Sequence, residues 1–359
     1  MKTFYRNSLI LFLAALFIVF PFQASKVSAA SAEDAVNAYY PGDIDEHWAF
    51  NELDNFVSAD LLKGYVGQDG EVTLKPDLSI SRAEFVSILV RAIGLTSTEA
   101  GKTFADVPAG KWYSEPIQIA SSLGIVNGLT ETTFGPNELI KRGEIATMVV
   151  RAFTASVTFE GEAKAFTDVP EYFATPFIKQ ASQAGIVRGA TATTFKPYAN
   201  ATRAEAVVMI QRALDLQSSD LPEDAALTAV IEGYETEEVA AINALDFAKL
   251  GEVQAKYMSG YYLAFNQYLY EDIESYLDEG YSIKMEKLTP QKLEIVSKSN
   301  RFAVVQSTGS TYNVTEVVDG EPSTNPSSYD GIYYLKKMPD NSWKIYSFYD
   351  DEDLSGEAE

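Results

Sequence analysis

The sequence has no cysteine and only one histidine among its 359 residues. The lack of cysteine excludes a disulfide-stapled scaffold, thiol catalysis and thiolate metal sites. The lone histidine, His47, excludes a metal site with several histidine ligands and argues against a Ser-His-Asp triad. We therefore expect no metal centre and no cofactor, and we interpret His47 as a surface residue.

Basic residues are also scarce, since 28 Lys and Arg stand against 51 Asp and Glu, for a formal net charge of −23. This acidity argues against nucleic acids and anionic membrane surfaces as partners. No acidic segment has the spacing of an EF-hand calcium loop. The charge suits a protein that must stay soluble outside the cell.

The amino terminus has the pattern of a secretory signal. Lys2 and Arg6 precede an apolar run over residues 9–22, and the small residues at 27–30 fit a cleavage site. The alternative is a retained membrane anchor, for which the run is short against the ~20 residues of a spanning helix. We predict that residues 1–30 are a signal peptide and that no membrane contact remains after cleavage.

Three segments of the chain share one pattern: an aspartate and an aromatic residue, a pair of glycines, an x-Pro element and an Arg-x-Glu close. The three arginines, Arg82, Arg142 and Arg203, are spaced by 60 and 61 residues. Such regular spacing indicates one structural module used three times. The predicted repeats span residues 31–95, 96–156 and 157–217.

Each repeat has the periodicity of two helices. After the first arginine, the apolar residues Phe85, Ile88, Leu89, Ala92 and Ile93 fall on one helical stripe, which Gly94 is expected to end. The other helix of a repeat precedes the glycine pair. One helix pair cannot bury its stripe alone, so we predict an all-α, pseudo-threefold bundle of the three arginine-bearing helices.

These residues resemble the S-layer homology family over about residues 40–215. The resemblance rests on the Asp-aromatic opening, the Gly-x-x-x-Gly middle, the x-Pro element and the Thr-Arg-Ala-Glu-like close. It implies a three-pronged spindle that docks secreted proteins on secondary cell-wall polysaccharide, which often carries pyruvylated sugars. The implied partner is this polysaccharide on peptidoglycan, with other surface proteins as further candidates, and the implied location is the cell wall or S-layer surface.

The close of each repeat contains a helix-capping pattern. The Ser/Thr-x-x-Glu of a capping box stands directly before an apolar-periodic helix in the first and third repeats, and each cap stabilises its helix by ~1 kcal/mol. In the second repeat Lys141 replaces the hydroxyl, so we expect the box to be lost there. We assign structural cap roles to Ser81, Glu84, Thr202, Glu205 and Glu144.

The arginines are the main candidates for ligand binding. At the first helical position, Arg82, Arg142 and Arg203 are not needed for the cap, and we expect them to point outward beside free backbone amides. A guanidinium can hold a planar carboxylate, such as that of a pyruvate ketal, by two parallel hydrogen bonds. The alternative is a structural ion pair. We predict three grooves of unequal affinity between neighbouring repeats.

Three further residue types complete the candidate sites. The aromatic residues, which could stack on sugars or pack the outer helix on the core, are Trp48, Trp112 and Tyr172. The aspartates, which could cap the outer helices, bind sugar hydroxyls or orient the arginines, are Asp45, Asp106 and Asp168. The glycines, which could admit a ligand close to the backbone or simply form turns, are Gly64, Gly128 and Gly189.

A predicted linker at residues 218–224 leads to a different domain at 225–359. Helical patterns come first, at residues 225–231, 239–250 and 255–277. Strand patterns follow, at residues 281–285, 292–296, 302–308, 312–318, 331–337 and 342–349. This order predicts a small α+β domain with a curved antiparallel sheet, and it resembles the nuclear-transport-factor-two-like cone fold.

The last predicted helix is rich in aromatic residues, namely Tyr257, Tyr261, Tyr262, Phe265, Tyr268 and Tyr276. They could line a pocket or pack the helix on the sheet. No acid-base pair is evident, so we predict a non-enzymatic surface protein. The alternatives are an extracellular enzyme, which a buried carboxylate with a raised pKa would favour, and an S-layer lattice subunit.

Overall fold

A computed structural model describes residues 32–68, 70–277, 280–318 and 320–350, except for the side chains of 272–277. The predicted signal peptide lies outside the described residues. Within the described part of the chain, no helix has the length and apolar character needed to cross a membrane.

The amino-terminal half of the described chain is helical. Its helices are α1 (Ala32–Asn37), α2 (Phe50–Ser58), α3 (Arg82–Ile93), α4 (Ser114–Ser122), α5 (Arg142–Phe153), α6 (Thr175–Gln183) and α7 (Arg203–Asp215). A short hairpin of β1 (Tyr65–Val66) and β2 (Val72–Thr73) lies between α2 and α3. The two predicted helices of each repeat are confirmed, and Gly94 ends α3 in the left-handed conformation, with φ 69°.

The loops before α3, α5 and α7 meet at the centre of this half. The amide of Ile80 donates to the carbonyl of Ala201, that of Ala201 to Ile140, and that of Ile140 back to Ile80, at 2.9–3.0 Å. All three side chains are fully buried. Each hydrogen bond joins one repeat to another. The three repeats are therefore held together by a closed ring of three equivalent hydrogen bonds.

Below this junction the apolar stripes of α3, α5 and α7 face one shared core. Phe85, Leu89, Ile145, Val149 and Ile210 are all fully buried members of a single hydrophobic cluster. That cluster draws residues from all three repeats. The burial follows from the 3.6-residue period that placed these residues on one side of each helix.

The carboxy-terminal region places three helices before seven strands. The helices are α8 (Asp224–Asn243), α9 (Phe247–Tyr257) and α10 (Gly260–Leu277). The strands are β3 (Ser282–Thr289), β4 (Lys292–Lys298), β5 (Phe302–Thr308), β6 (Thr311–Val318), β7 (Glu321–Ser328), β8 (Gly331–Lys337) and β9 (Trp343–Asp350). The predicted order of helices followed by antiparallel strands is confirmed.

The strands form two antiparallel sheets, in the orders β3-β6-β7 and β4-β5-β8-β9. Several details differ from the sequence prediction. One curved sheet was predicted where the structure has two, and the predicted helices 239–250 and 255–277 are interrupted at 244–246 and 258–259. Helix α8 is continuous where two shorter helical segments were predicted, and β7 was not predicted at all. Strand β7 contains Pro322 and Pro326, which have no amide hydrogen to donate, but it lies at a sheet edge where only one side needs pairing.

The aromatic residues of the α9–α10 segment pack in different directions. Tyr262 is buried against the second sheet, whereas Tyr261 and Phe265 pack against Val36 of α1. Tyr268 is exposed, and the side chain of Tyr276 lies outside the described residues. These rings do not line one common pocket, so the packing interpretation is the one that the structure supports.

A pair of neighbouring residues tests the importance of the central junction. We expect Ile140→Ala to lower the free energy of unfolding by about 2–5 kcal/mol, because Ile140 is fully buried where three loops meet. Leu139→Ala should change it by less than about 0.5 kcal/mol, because Leu139 is 42% exposed. Urea denaturation followed by circular dichroism measures both, and equal effects would contradict this account of the junction.

Candidate functional site

The three arginines are buried rather than turned outward. Arg82, Arg142 and Arg203 are 3%, 7% and 4% exposed, so the predicted outward orientation is wrong. The first helix amides are not free either, since those of Arg82 and Ala83 donate to carbonyls of the loop before α5. The same arrangement recurs at α5 and α7. The physical reason is that a loop from a neighbouring repeat docks on each helix amino terminus.

Each arginine forms an ion pair with a glutamate of another repeat. The pairs are Arg82 with Glu144 at 2.5 Å, Arg142 with Glu205, and Arg203 with Glu84 at 3.1 Å. Together they form a closed ring that parallels the backbone junction. The structural ion pair considered as an alternative is therefore present at all three positions, and it accounts for the burial of the charges.

Each glutamate also caps its own helix, using its second oxygen. Oε2 of Glu84 accepts from the amide of Ser81 at 2.9 Å, while Oε1 accepts from Arg203 at 3.1 Å. The complete capping boxes predicted at Ser81 and Thr202 are confirmed. At Lys141 the hydroxyl is missing, as predicted, but Glu144 still accepts from the Lys141 amide at 2.8 Å. One of the two hydrogen bonds of the capping box, that of Glu144, is therefore present there.

The aspartates hold the loop that carries the x-Pro element. Asp106 accepts from the amides of Phe134 and Gly135 at 2.8 and 2.7 Å, and Asp168 makes the equivalent pair of bonds. In the first repeat the equivalent residue is Asp43 rather than Asp45, so that assignment is corrected. These aspartates do not cap the outer helices, because their oxygens are engaged by loop amides.

The aspartate-held loops in turn fix the arginines. The Nε groups of Arg82, Arg142 and Arg203 donate to the carbonyls of Phe134, Phe195 and Leu74 at 2.8–3.0 Å. Each guanidinium also lies 4.8–5.0 Å from the centre of an aromatic ring, that of Phe134, Phe195 or Tyr65. Of the roles considered for the aspartates, these contacts fit the orientation of the arginines, which acts indirectly through the loop.

The third arginine differs from the other two in its remaining donors. Arg203 also donates from Nη1 to the Tyr65 hydroxyl at 3.0 Å and from Nη2 to the Lys63 carbonyl at 3.3 Å. Among the described residues, Nη2 of Arg82 and of Arg142 has no hydrogen-bond partner. The third arginine thus uses a terminal nitrogen that has no partner among the described residues in the other two.

An exposed aromatic ring stands at the start of each outer helix. Trp48 and Trp112 are each 62% exposed, so neither packs its helix onto the core. In the third repeat the exposed ring is Phe173, at 60%, and not Tyr172 as predicted. The loop from Asp168 to Phe173 is one residue shorter than the loop from Asp106 to Trp112. This shortening shifts the position of the ring by one residue.

Tyr172 points inward instead. Its hydroxyl is buried, and a Cβ atom on Gly143 would lie 2.1 Å from it, which explains why glycine replaces the alanine of the repeat pattern. Burial, together with Tyr198 and Glu144, raises the pKa of Tyr172 to about 12. Tyr172 is thus a packing residue of the junction between the second and third repeats.

The glycines serve turns and close packing. Gly128 and Gly189 have φ values of 86° and 90°, and a Cβ atom on either would lie 2.6 Å from a backbone oxygen. Gly64 is restricted differently, because a Cβ there would lie 2.4 Å from the Val72 side chain. The turn interpretation is sufficient for the first two, and packing against the hairpin for Gly64.

Similarity to known proteins agrees with these features. The family model of the S-layer homology domain matches residues 103–146 and 165–207. Each of these two segments is similar to the S-layer homology domain. They contain Arg142 with its partner Glu205, Arg203, and the loop aspartates Asp106 and Asp168.

Several curated proteins share this part of the chain. An amylopullulanase of Thermoanaerobacterium thermosulfurigenes is 29% identical over 178 residues, which are 48% of this chain and 9% of that protein. A cellulosome-anchoring protein of Acetivibrio thermocellus is 30% identical over 44% of this chain and 36% of its own length. A surface-layer 125 kDa protein of Lysinibacillus sphaericus is 30% identical over 47% and 14%. The chain thus spans only about a tenth to a third of these relatives.

A solved structure resembles about a third of the chain. It is a ketosteroid isomerase-like protein from Erwinia carotovora atroseptica, 22% identical, covering 33% of this chain and 91% of that protein. Its TM-score is 0.23, which is too low to support an argument about fold or function.

The Arg203–Glu84 pair predicts a loss of stability in acid. Burial opposes ionisation of Glu84, but hydrogen bonds from Ser81 and Tyr65 and the charge of Arg203 bring its pKa below the ordinary value of 4.5. The stabilisation is therefore present above that value and is lost as the pH falls through the folded-state pKa. We expect the free energy of unfolding to decrease in this range, and to decrease less steeply in Glu84→Gln.

The matched control is Glu131→Gln, because the Glu131 side chain is 97% exposed. Urea titrations at a series of acidic pH values measure all three proteins. If Glu84→Gln kept the full acid dependence of the parent protein, the assignment of this titration to Glu84 would be wrong.

Proposed function

We propose that three S-layer homology repeats hold this protein non-covalently on secondary cell-wall polysaccharide at the bacterial surface, with a pyruvylated sugar as the recognised group. The two matched domains support this proposal. Relatives that share the region include a cellulosome-anchoring protein and S-layer proteins. The absence of a membrane-spanning helix among the described residues agrees with attachment through the wall.

We propose that residues 43–93, in the first repeat of the chain, are an S-layer homology repeat as well. They supply α2 and α3, the loop aspartate Asp43, the capping box at Ser81 and one member of each cyclic set of contacts. A pseudo-threefold bundle of three S-layer homology repeats follows from this equivalence. The β1–β2 hairpin is the feature that distinguishes this repeat from the other two.

The single observation that carries the binding proposal is the spare Nη2 of Arg82 and of Arg142. Each guanidinium is held rigid by a carbonyl, a glutamate and an aromatic ring, so little side-chain freedom is lost when a ligand binds. A ketal carboxylate can accept from the remaining nitrogen. The exposed rings of Trp48 and Trp112 offer apolar faces to the adjoining sugars.

The three grooves are proposed to be unequal. The site at Arg203 is occupied by Tyr65 and the Lys63 carbonyl, which use the donors that a ligand would need. A ligand there must displace two hydrogen bonds and a ring that stacks on the guanidinium. We therefore assign binding to the grooves at Arg82 and Arg142.

Co-sedimentation of the mature chain with purified cell-wall sacculi tests this assignment. Binding is expected to native sacculi and not to sacculi stripped of their secondary polysaccharide by acid. Arg82→Lys and Arg142→Lys should each weaken binding about tenfold, because lysine keeps the charge but lacks the planar fork and one charged hydrogen bond is worth ~1.5 kcal/mol. Arg203→Lys is the matched control and should leave binding nearly unchanged.

Circular dichroism establishes that each variant is folded. Equal binding to stripped sacculi would exclude the polysaccharide as the ligand. Undiminished binding by both Arg82→Lys and Arg142→Lys would exclude the arginine role while leaving wall attachment intact.

Removing the Tyr65 side chain should open the groove at Arg203 and raise the affinity of the protein for sacculi. In Tyr65→Ala the ring and the hydroxyl are removed, so a ligand at Arg203 has only the hydrogen bond to the Lys63 carbonyl left to displace, and sacculus affinity should rise a few-fold. In this background Arg203→Lys should become costly. Tyr65→Phe, which keeps the ring, serves as the control and should have the smaller effect. No gain in Tyr65→Ala would show that the groove is closed by something other than Tyr65.

One observation favours an enzyme as a second candidate function. Glu238 on α8 is half-buried and accepts from the Tyr270 hydroxyl at 3.2 Å. Burial raises its pKa to about 7, although hydrogen bonds from Tyr234 and Tyr270 oppose the shift. A carboxyl that titrates near neutrality is suited to acid-base catalysis.

The test of this second candidate is to incubate the mature chain with native sacculi and to analyse released glycan and peptide fragments by mass spectrometry. Fragments released by the parent protein and not by Glu238→Gln would support the enzyme. No release above a heat-denatured control would exclude hydrolysis of the wall by this region.

A further inference from the structure

The carboxy-terminal region rests directly on the first repeat. The hydroxyl of Tyr346 donates to Asn55 at 2.6 Å and that of Tyr349 to Asp54 at 2.7 Å. Tyr346 is 2% exposed and belongs to the same buried cluster as the core of the repeats. The contact is therefore a buried extension of the repeat core, reinforced by hydrogen bonds to α2.

Asp60, in the turn that follows α2, is specialised for this contact. Asp60 has a φ of 60°, in the left-handed region, where a Cβ atom is unfavourable. The equivalent positions of the other repeats are Gly124 and Gly185, with φ values of 71° and 76°. The first repeat thus has an aspartate where the same turn in the other repeats has glycine. Interactions of the Asp60 side chain must offset the unfavourable left-handed backbone conformation.

That role is visible in the contacts of Asp60. Its carboxylate accepts from the Tyr39 hydroxyl at 2.7 Å and lies 3.5 Å from Nζ of Lys336. Lys336 comes from β8, is 7% exposed and also donates to the Ala59 carbonyl at 2.5 Å. Among the described residues, Asp60 is the only carboxylate paired with this buried ammonium group. A buried charge of this kind requires a partner.

Two glycines allow the carboxy-terminal region to approach the first repeat closely. A Cβ atom on Gly94, at the carboxyl end of α3, would lie 2.5 Å from the guanidinium carbon of Arg301. A Cβ on Gly260, at the start of α10, would lie 2.1 Å from the Ser58 carbonyl. The positive charge of Arg301 also lies at the negative end of the α3 dipole, which favours this position.

The predicted linker is fastened at both ends. The Ser218 amide donates to the Ser156 carbonyl at 3.0 Å, which holds its start against the second repeat. Lys298 of β4 donates to the Pro222 carbonyl at 2.8 Å and pairs with Asp224 at 2.6 Å. The connection therefore follows a fixed path.

The other repeats lack such a platform. Ser58 and Ala59, at the end of α2, are 1% and 0% exposed. The equivalent Ser122 and Leu123 are half-buried and 46% exposed, respectively. The docked face and the arginines also lie at opposite ends of the bundle, because Arg82 begins α3 and Gly94 ends it. Twelve residues separate these ends by about 18 Å.

We propose that the first repeat is a docking platform that fixes the carboxy-terminal region at the end of the bundle opposite to the three arginines. A chain bound through its arginines then presents this region away from the wall. The outward presentation rests on the proposed wall binding, whereas the fixed docking does not. Wall attachment and display are thus assigned to opposite ends of one rigid unit.

Replacing Asp60 by glycine in the mature chain tests the docking, because the melting temperature should fall if docking holds and rise if it does not. Relief of the left-handed backbone alone would raise the melting temperature. Loss of the partner of Lys336 and of the Tyr39 hydrogen bond should instead lower it, and should increase amide hydrogen exchange in α2 and in β8 and β9. Exchange in α5 should change little.

Asp220→Gly is the matched control, because Asp220 is an exposed aspartate with a φ of 51°. It should be neutral or slightly stabilising. Docking is overturned if Asp60→Gly raises the melting temperature as Asp220→Gly does and leaves exchange in β8 and β9 unchanged. Binding of Asp60→Gly to sacculi should equal that of the parent, so a failure of wall binding is seen separately from a failure of docking.

The orientation is tested by labelling, which the absence of cysteine makes site-specific. Val296→Cys in the carboxy-terminal region and Leu78→Cys beside the arginine end replace residues that are 59% and 57% exposed. With the chain bound to native sacculi, a maleimide reagent should label Val296→Cys as fast as in free protein and Leu78→Cys several-fold more slowly. Equal protection of both, or protection of Val296→Cys alone, overturns the outward presentation.

Discussion

The ring of three arginine–glutamate pairs is the interaction on which the rest of the structure depends. Each glutamate uses one oxygen to cap its own helix and the other to hold the arginine of a neighbouring repeat. Buried charges are tolerated only when they are paired and hydrogen-bonded, so the three repeats must close on each other. The candidate grooves therefore exist only in the complete bundle, since each is built from two repeats.

The same sequence pattern serves different purposes in its three copies. In the first repeat, the hairpin residue Tyr65 covers the arginine of the third repeat, and Asp60 replaces a turn glycine to hold the carboxy-terminal region. In the second repeat the equivalent surface at the helix end stays open, as the exposed Leu123 shows. A symmetric framework thus carries an asymmetric distribution of contacts, since Nη2 of Arg82 and of Arg142 has no partner among the described residues.

Local patterns predicted the helices and the complete capping boxes because these depend on residues within one or two turns of each other. Ser81 and Glu84 are three residues apart, and their hydrogen bonds need nothing beyond the helix start. Strand β7 was missed for the opposite reason. Its two prolines are compatible with pairing only because β7 lies at a sheet edge, and edge position is a property of the assembled sheet.

The sequence by itself determined the repeat, its two helices, the complete capping boxes and the three arginines at the helix starts. Tertiary structure alone decided that the arginines are buried, because their partners and the docking loops lie more than fifty residues away in the chain. It also decided that Phe173 rather than Tyr172 is exposed, since a one-residue difference in loop length is resolved only by packing against Gly143. Spacing fixes which residues share a helix face, whereas burial and charge pairing depend on what folds against that face.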